Sequence, residues 1–348
     1  MTPPPASSLP IVLLPIGTDD DALDACLGAL DAGTPAGTRL WLADDAQAGP
    51  RALAIIERWL TRTSLQADYT RRPRMLGEVA HMDQMLAACG DVDVVVLSPD
   101  AQPLPGWLQQ LAACLARDAA IATATPWCNA GEAAAWPRLG EVSPPPADVE
   151  RTAHACAAMS PLHPELPAAV AHAVALRGSA RKRVGGLDAA SYGSWYAALV
   201  DLSLRLAGLG WRNVLCETAF VARGGEGGPA DGDMDALNAR WPTFTPRLAT
   251  FLMDDPRYHG LLRSYFERVA LETPASRKAF EQAGVVKLKG DWTNRDDEIT
   301  AVLKEVGRAG VPLYLFWAPG ADRPKILPQV LTEAMILSEL SSIQQAKR

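Results

Sequence analysis

Short apolar runs and amphipathic stretches alternate through the first third of the chain. LPIVLLPI (residues 9–16) is an apolar run, and DDALDACLGALDAG (20–33) follows with acids in its first turn and a terminal glycine, the marks of a capped helix. RLWLADDA (39–46) repeats the strand pattern and ends on acids. PRALAIIERWLTRTS (50–64) has a proline at its first turn and an apolar stripe with a 3.6-residue period. ADYTRR, GEVAHMDQMLAACG, DVDVVVLSPD, GWLQQLAACLARD and AIATATPW continue the series to residue 127. Such alternation predicts an α/β fold, a mostly parallel sheet covered by helices on both faces, in which ligands bind at the carboxyl ends of the strands. Asp44, Asp45 and Asp100 fall at those ends.

From about 129 to 170 the pattern loosens into Ala/Pro-rich text, read as a long loop with a helical piece. A strand signal returns in AVALRG, a glycine turn in RVGGLD, a helix in YAALVDLSLRLAGLG and a strand in NVLCETAFVA. GGEGGPADGDMD reads as a flexible loop that lacks the ligand positions of a calcium loop. A helix near 241–253 leads to MDDPRYHG, a boundary. Beyond it the expected elements are a helix in LLRSYFERVALETPASRKAFEQAG, a strand in VVKLKGDW, a helix in RDDEITAVLKEVGRAG, a hairpin from VPLYLFWAPG and KILPQVL, and a closing helix in TEAMILSELSSIQQ. Two units are expected, residues 1–257 and 258–348, because 348 residues exceed the usual size of one domain.

Composition narrows the function classes. A net charge of -7 without any dense Lys/Arg block argues against a nucleic-acid partner. The six cysteines form no C-x-x-C pair, so zinc and dithiol redox centres are not expected, and buried free thiols are the plainer reading. MTPPPASSLP has no cationic leader, and no segment reaches the roughly 20 apolar residues of a membrane span. The expected location is the cytoplasm, free or peripheral to the inner membrane.

Residues 10–256 resemble the family 2 glycosyltransferases, the rhamnosyltransferase-like branch of the GT-A nucleotide-diphospho-sugar transferase fold. The likeness rests on LWLADDA, RRPRMLGEVAHMDQMLA, VVVLSPDAQPLPGWLQQL, RDAAIATATPWCN, VGGLD, DLSLRLAGLGWRN and RWPTFTPRLATFLMDDP, in that order. It implies a Rossmann-like sheet, a nucleotide-diphospho-sugar donor, Mg2+ or Mn2+, and inverting transfer to a polysaccharide or lipid-linked acceptor. In that scheme Asp44, Asp45, Gly77, Asp83 and Arg223 contact the donor and Asp100 binds the cation, while a carboxylate elsewhere deprotonates the acceptor hydroxyl. Trp195 and Tyr196 read equally as a sugar-stacking wall or as core.

Three departures from the family pattern bear on activity. The cation motif has become Ser98-Pro99-Asp100, with one acid. Ala198 and Leu199 stand where the helix should carry acids, leaving Asp201 as the remaining candidate for the catalytic base. Arg223 replaces a histidine near the diphosphate, and an arginine can pair with phosphate directly. The alternative reading is therefore a GT-A-fold binding or interaction protein without catalysis.

Residues 267 to about 340 resemble the C-terminal thioredoxin-like domain of the DsbD-type thiol:disulfide interchange proteins, on ERVALETPASRKAFEQAGVVKLKGDWTNRDDEITAVLKEVGRAGVPLYLFW and LPQVLT. The likeness implies an incomplete thioredoxin-like α/β segment. Its C-x-x-C and central strand are missing, Pro312 matches the family's cis proline, and thiol exchange has no nucleophile. Unpaired strand edges in such a segment invite a filler, including a second copy in a homo-oligomer.

Overall fold

The computed structural model describes residues 9–137, 139–159, 161–225, 227–254, 270–288, 297–305, 313–318, 321, 323–327 and 333–346. The chain divides into two compact units, Met1–Tyr258 and His259–Arg348.

Among the described residues of the first unit, eight strands form one sheet: β1 (Ile11–Pro15), β2 (Arg39–Asp44), β3 (Gln66–Arg71), β4 (Val94–Leu97), β5 (Ala101–Pro103), β6 (Ile121–Trp127), β7 (Ala173–Leu176) and β8 (Arg212–Arg223). Their order across the sheet is β3-β2-β1-β4-β7-β6-β8-β5. β1 to β4 are mutually parallel, with Leu13 opposite Trp41 on one side and Val96 on the other. β7 runs antiparallel between β4 and β6, and β6 is parallel to β8. Six of the eight strands thus point one way, and the expected α/β architecture with a mostly parallel sheet is present.

The helices of this unit are α1 (Asp20–Gly33), α2 (Pro50–Leu60), α3 (Glu78–Ala88), α4 (Trp107–Arg117), α5 (Val149–Ala157), α6 (Gly178–Val184), α7 (Trp195–Gly208), α8 (Asp233–Arg240) and α9 (Phe244–Asp254). Every residue of β4 and β6 is buried, as strands covered on both faces must be. One face packs against Leu23, Leu27, Trp59, Trp107 and Leu111 of α1, α2 and α4. The other packs against Met82, Met85, Leu199 and Leu202 of α3 and α7. The described residues of the 129–170 stretch hold a 3-10 turn at Glu132–Ala134 and α5 and are otherwise loop, which matches its reading from sequence.

Helices α6 and α8 were not expected, and α8 opens within GGEGGPADGDMD, which was read as a loop; one turn was also read differently. The proline-rich turn after Asp100 forms the edge strand β5, antiparallel to β8, with Ala101 opposite Arg223. An edge strand tolerates Pro103 because its outer side has no ladder to complete.

Asp19 caps α1 by accepting from the N–H groups of Asp21 and Ala22, both at 3.0 Å. Asp19→Ala leaves those donors unpartnered, and thermal melting should show a loss of about 1 kcal/mol.

The second unit contains α10 (Pro274–Ala283), α11 (Asp297–Glu305), the antiparallel pair β9 (Tyr314–Phe316) and β10 (Lys325–Leu327), and α12 (Glu333–Ala346). The expected hairpin and the two later helices are therefore present, whereas the helix expected through residues 261–284 begins only at Pro274, its earlier part either breaking at Glu272 and Thr273 or lying outside the described residues. Thr273 caps α10 through Ser276 N–H, and Gly284 closes it at φ 68°, where glycine carries no strain. Ala270, Phe280, Leu327, Ile336 and Leu340 form its small core. Val285–Leu288, expected to open a strand, lies in no strand, with Leu288 92% exposed. Among the described residues this unit has one two-stranded sheet, which does not by itself make a thioredoxin-like fold. Pro312 and most of GDWTNRD lie outside the described residues.

Candidate functional site

Because β1 to β4, β6 and β8 run in one direction, their carboxyl ends share one edge of the sheet, and the amino-terminal ends of β5 and β7 join them there. Asp100 sits at this edge between β4 and β5, next to Ala101, which lies opposite the last residue of β8, Arg223. The two side chains form a bidentate pair: Arg223 Nε donates to Asp100 Oδ2 and Nη2 to Oδ1, both at 3.0 Å. Ser98 Oγ donates to Oδ1 at 2.6 Å, and the Gly225 N–H donates to Oδ2 at 2.9 Å. Burial alone would raise the Asp100 carboxyl; the Arg223 guanidinium and these hydrogen bonds outweigh it and hold the group below its ordinary value. Gly17, two residues past the end of β1, lies so close that a Cβ there would meet the Pro99 ring at 3.0 Å, so a side chain would push the Ser98-Pro99-Asp100 turn outward.

The loop leaving β6 is tied to the same place. Asn129 Nδ2 donates to the Arg223 carbonyl at 3.1 Å, and the Arg223 N–H donates to Asn129 Oδ1 at 2.9 Å. His172, just before β7, accepts on its carbonyl from the Ser98 N–H at 2.9 Å. Its ring is buried against Gly131, where a Cβ would stand 3.2 Å from Nδ1. Burial first, and Arg223 second, push the imidazole down to about 3, so it is neutral at physiological pH. Glu132, next to Gly131, adopts φ 37°, a left-handed value that costs energy for any residue with a Cβ. Its carboxylate accepts from the Tyr196 hydroxyl in the first turn of α7 at 2.9 Å. Tyr196 is half-buried, whereas Trp195 is 4% exposed and packs in the core.

The acids of β2 serve the loops around the edge. Asp44 is fully buried and accepts from the Gln47 N–H (2.7 Å), the Ala48 N–H (3.1 Å) and the Tyr69 hydroxyl (2.8 Å). Asp45, 2% exposed, accepts from the Leu76 N–H at 2.8 Å and the Gly77 N–H at 2.8 Å, which fixes the loop entering α3. Gly77 has φ 102°, open to glycine alone without strain. Ala46, beside the two acids, has φ 60°, so strained backbone occurs off β2 as well as off β6. Asp83, inside α3, accepts from the Leu187 N–H at 2.7 Å and holds the RVGGLD turn. The edge thus gathers Asp44, Asp45, Gly77, Asp100 and Arg223; Asp83 stands apart on its helix.

Asp201 stands apart too. It lies five residues into α7 from Tyr196, roughly 8 Å along the axis at 1.5 Å per residue. It is fully buried, ion-paired to Arg205 Nε at 2.8 Å and Arg240 Nε at 3.3 Å, and accepts from Trp241 Nε1 at 2.9 Å. Ala198 and Leu199, also buried, place only apolar side chains one turn earlier.

A divalent cation needs carboxylate oxygens with free lone pairs. At Asp100 each oxygen already accepts two hydrogen bonds, and the nearest cation is a guanidinium 3.0 Å away. Among the described residues no group of three or more His, Cys, Asp or Glu side chains is arranged to hold a metal ion. The residues present do not fit the Mg2+ or Mn2+ expected at Asp100, because Arg223 fills the coordination space.

Sequence reading missed Glu132 and Asn129. Both lie in Ala/Pro-rich text with no periodic signal, and only the position just past a buried strand end marks them.

No protein-family model matches the chain. Homoserine O-succinyltransferase of Leptothrix cholodnii is 79% identical over 24 residues, which are 7% of this chain and 6% of that protein, too short a span to bear on fold or activity. Similar solved structures include the mannosyltransferase PcManGT of Pyrobaculum calidifontis in complex with GDP-Man and Mn2+ (14% identity, 87% of this chain, 81% of that chain, TM-score 0.46). GalNAc-T7 with UDP, GalNAc and Mn2+ is similar at 11% identity over 97% of this chain and 57% of that one, TM-score 0.48. Residues 1–349 of S. aureus TarS are similar at 11% identity over 80% of this chain and 75% of that one, TM-score 0.43. No residue role passes from these proteins to this chain. Among the described residues, no helix is long and apolar enough to cross a membrane.

Proposed function

We propose that the first unit binds a nucleotide-diphospho-sugar at the carboxyl edge of its sheet and transfers the sugar, with inversion, to a hydroxyl of a polysaccharide or lipid-linked acceptor. The observation that carries this reading is the Arg223 guanidinium held by Asp100 at that edge, followed at once by Gly224 and Gly225, which leave the backbone open to a close approach. A preorganised guanidinium matches the paired oxygens of a diphosphate and stabilises the charge that builds as the diphosphate leaves. Asp100 then acts as the positioning residue for Arg223. Asp44, Asp45 and Gly77 shape the nucleoside end by fixing the loops after β2 and β3, and Asp83 supports them through the RVGGLD turn.

A second reading, binding without transfer, draws on Asp201: the acid expected to serve as base is fully engaged inside the fold, and Ala198 and Leu199 cannot take a proton. Calorimetric titration with UDP, dTDP and GDP, each with Mn2+ and with EDTA, followed by assay of nucleoside diphosphate release from the corresponding sugar donors, tests both. Submillimolar binding of one nucleotide with either addition, plus release, is the result expected of the transferase; binding without release leaves only the second reading. Absence of binding to all three at millimolar concentration removes both.

A further inference from the structure

A transferase of this kind needs a group that takes the acceptor proton, and α7 does not offer one. We propose that Glu132, carried on the loop leaving β6 and hydrogen-bonded to the Tyr196 hydroxyl of α7, is the general base. This assignment rests on the transferase reading above and supplies its missing residue.

Five observations converge on Glu132. Its loop starts at the carboxyl end of a fully buried strand, the edge where Asp100 and Arg223 meet, and Asn129 ties that loop to Arg223 by two hydrogen bonds. The backbone holds Glu132 at φ 37°, a conformation maintained only where surrounding contacts insist on it. Those contacts are visible: the Glu132 carbonyl accepts from the N–H groups of Ala135 and Gly140, both at 3.1 Å, and Ser143 clasps Asn129 in both directions at 2.8 Å. The side chain keeps solvent access while its carboxyl meets the first turn of α7, the place from which apolar Ala198 and Leu199 have removed any acid. Burial raises the carboxyl above its usual range and the Tyr196 hydroxyl opposes that rise, which moves the group toward the pH where a base is effective. Tyr196 donates to Oε1, and among the described residues Oε2 has no protein donor and is ready for a hydroxyl, in contrast with the carboxylates of Asp100 and Asp201.

In the step assigned to it, the acceptor oxygen attacks the anomeric carbon and its proton passes to Glu132. The new carbon–oxygen bond forms as the bond to the diphosphate breaks, with the electron pair leaving on the nucleoside diphosphate. With water as acceptor the same step is donor hydrolysis, which provides an assay before the acceptor is identified.

One other raised carboxyl faces the same region. Glu78 opens α3, is raised by burial and by the charge of Asp233, and is relieved by the Trp195 backbone at the start of α7. Its position beside the loop that Asp45 fixes makes it the competitor for the role, and the experiment separates them.

UDP-glucose, dTDP-rhamnose and GDP-mannose are each incubated with wild type, Glu132→Ala, Glu132→Gln and Glu78→Gln, with nucleoside diphosphate release followed from pH 5 to 9 in the presence and absence of azide. Glu132→Ala is expected to bind the donor within about twofold of wild type, to lose about 10²–10⁴ in rate, and to lose the acidic limb of the pH profile. Azide, which attacks without giving up a proton, should restore release in Glu132→Ala and yield a glycosyl azide of inverted configuration. A merely structural Glu132 would show no such rescue. A wild-type rate in Glu132→Ala, a loss that azide does not repair, or a repairable loss in Glu78→Gln alone overturns the assignment. Wild-type binding without release also overturns it and leaves the binding-only reading; absence of binding removes the donor site itself.

Discussion

Replacing Asp201 by alanine is expected to lower the stability of the first unit by about 3 kcal/mol, the low end of the range for removing one partner of a buried ion pair. The carboxylate joins two arginines and an indole N–H from α7 and α8 and their flank, with no exposed surface of its own. The cost stays at the low end because the arginines have other partners: Arg205 also donates to the carbonyls of Val184 (2.7 Å) and Gly186 (3.0 Å), and Arg240 pairs with Asp188 at 3.1 Å. Trp241 Nε1 is left without its acceptor, and it is the group that loses most. For a unit of this size the melting temperature should fall by roughly 6–12 °C. Asp201→Asn keeps an oxygen for Trp241 but not the charge, and should fall between alanine and wild type. The same measurement decides between two roles for the residue. A base can be removed with little effect on stability and a large effect on rate, whereas a structural hub shows the reverse. An unchanged melting temperature in Asp201→Ala would return the residue to the list of candidate bases.

The architecture was legible because its signals are periodic. β4 is buried on both faces and reads as a continuous apolar run, while α1 shows acids in its first turn and α2 a first-turn proline and an apolar stripe. Strand-end acids were legible for the same reason: a run that stops at Asp44 or Asp100 marks the edge of a parallel sheet. What those acids do was not legible, since a carboxylate that ligates a cation and one that grips a guanidinium look identical in sequence. The decision at Asp100 comes from a residue 123 positions later, Arg223, which only the pairing of β5 with β8 brings opposite. Asp45 is a parallel case, spent on the N–H groups of Leu76 and Gly77 thirty-one and thirty-two residues away. Glu132 was missed because a loop has no period; what distinguishes it is a left-handed φ and a tyrosine from another element, neither of which a linear reading contains. β5 was missed because prolines mark turns, and an edge strand that tolerates them has the same composition.

The second large effect is expected at the Asp100–Arg223 pair, where stability and ligand binding part company. Asp100→Ala leaves the Arg223 guanidinium, 9% exposed, without its carboxylate, and a loss of about 3 kcal/mol is expected on the scale of buried pairs broken from one side. Arg223→Ala also leaves Asp100 with Ser98 and the Gly225 N–H as partners, so its stability cost should be smaller. Its effect on nucleoside diphosphate affinity should be the larger of the two, about 10–100-fold, from losing charge-assisted hydrogen bonds worth about 1.5–3 kcal/mol. The sign of the pH dependence follows from the depressed Asp100 carboxyl: the pair's contribution is complete above the ordinary value of 3.8 and is lost as pH falls through the lower value held in the fold. The gap in melting temperature between wild type and Asp100→Asn should therefore be constant near neutral pH and close only in strong acid. Chelation separates this pair from a cation site. If Arg223 meets the diphosphate, EDTA leaves affinity unchanged while Arg223→Ala weakens it; if Asp100 instead abandons Arg223 for Mn2+, EDTA weakens binding and Arg223→Ala spares it. The hydrogen-bond geometry favours the first outcome, because a cation at Asp100 would have to displace a bidentate pair and two further donors before gaining its first ligand.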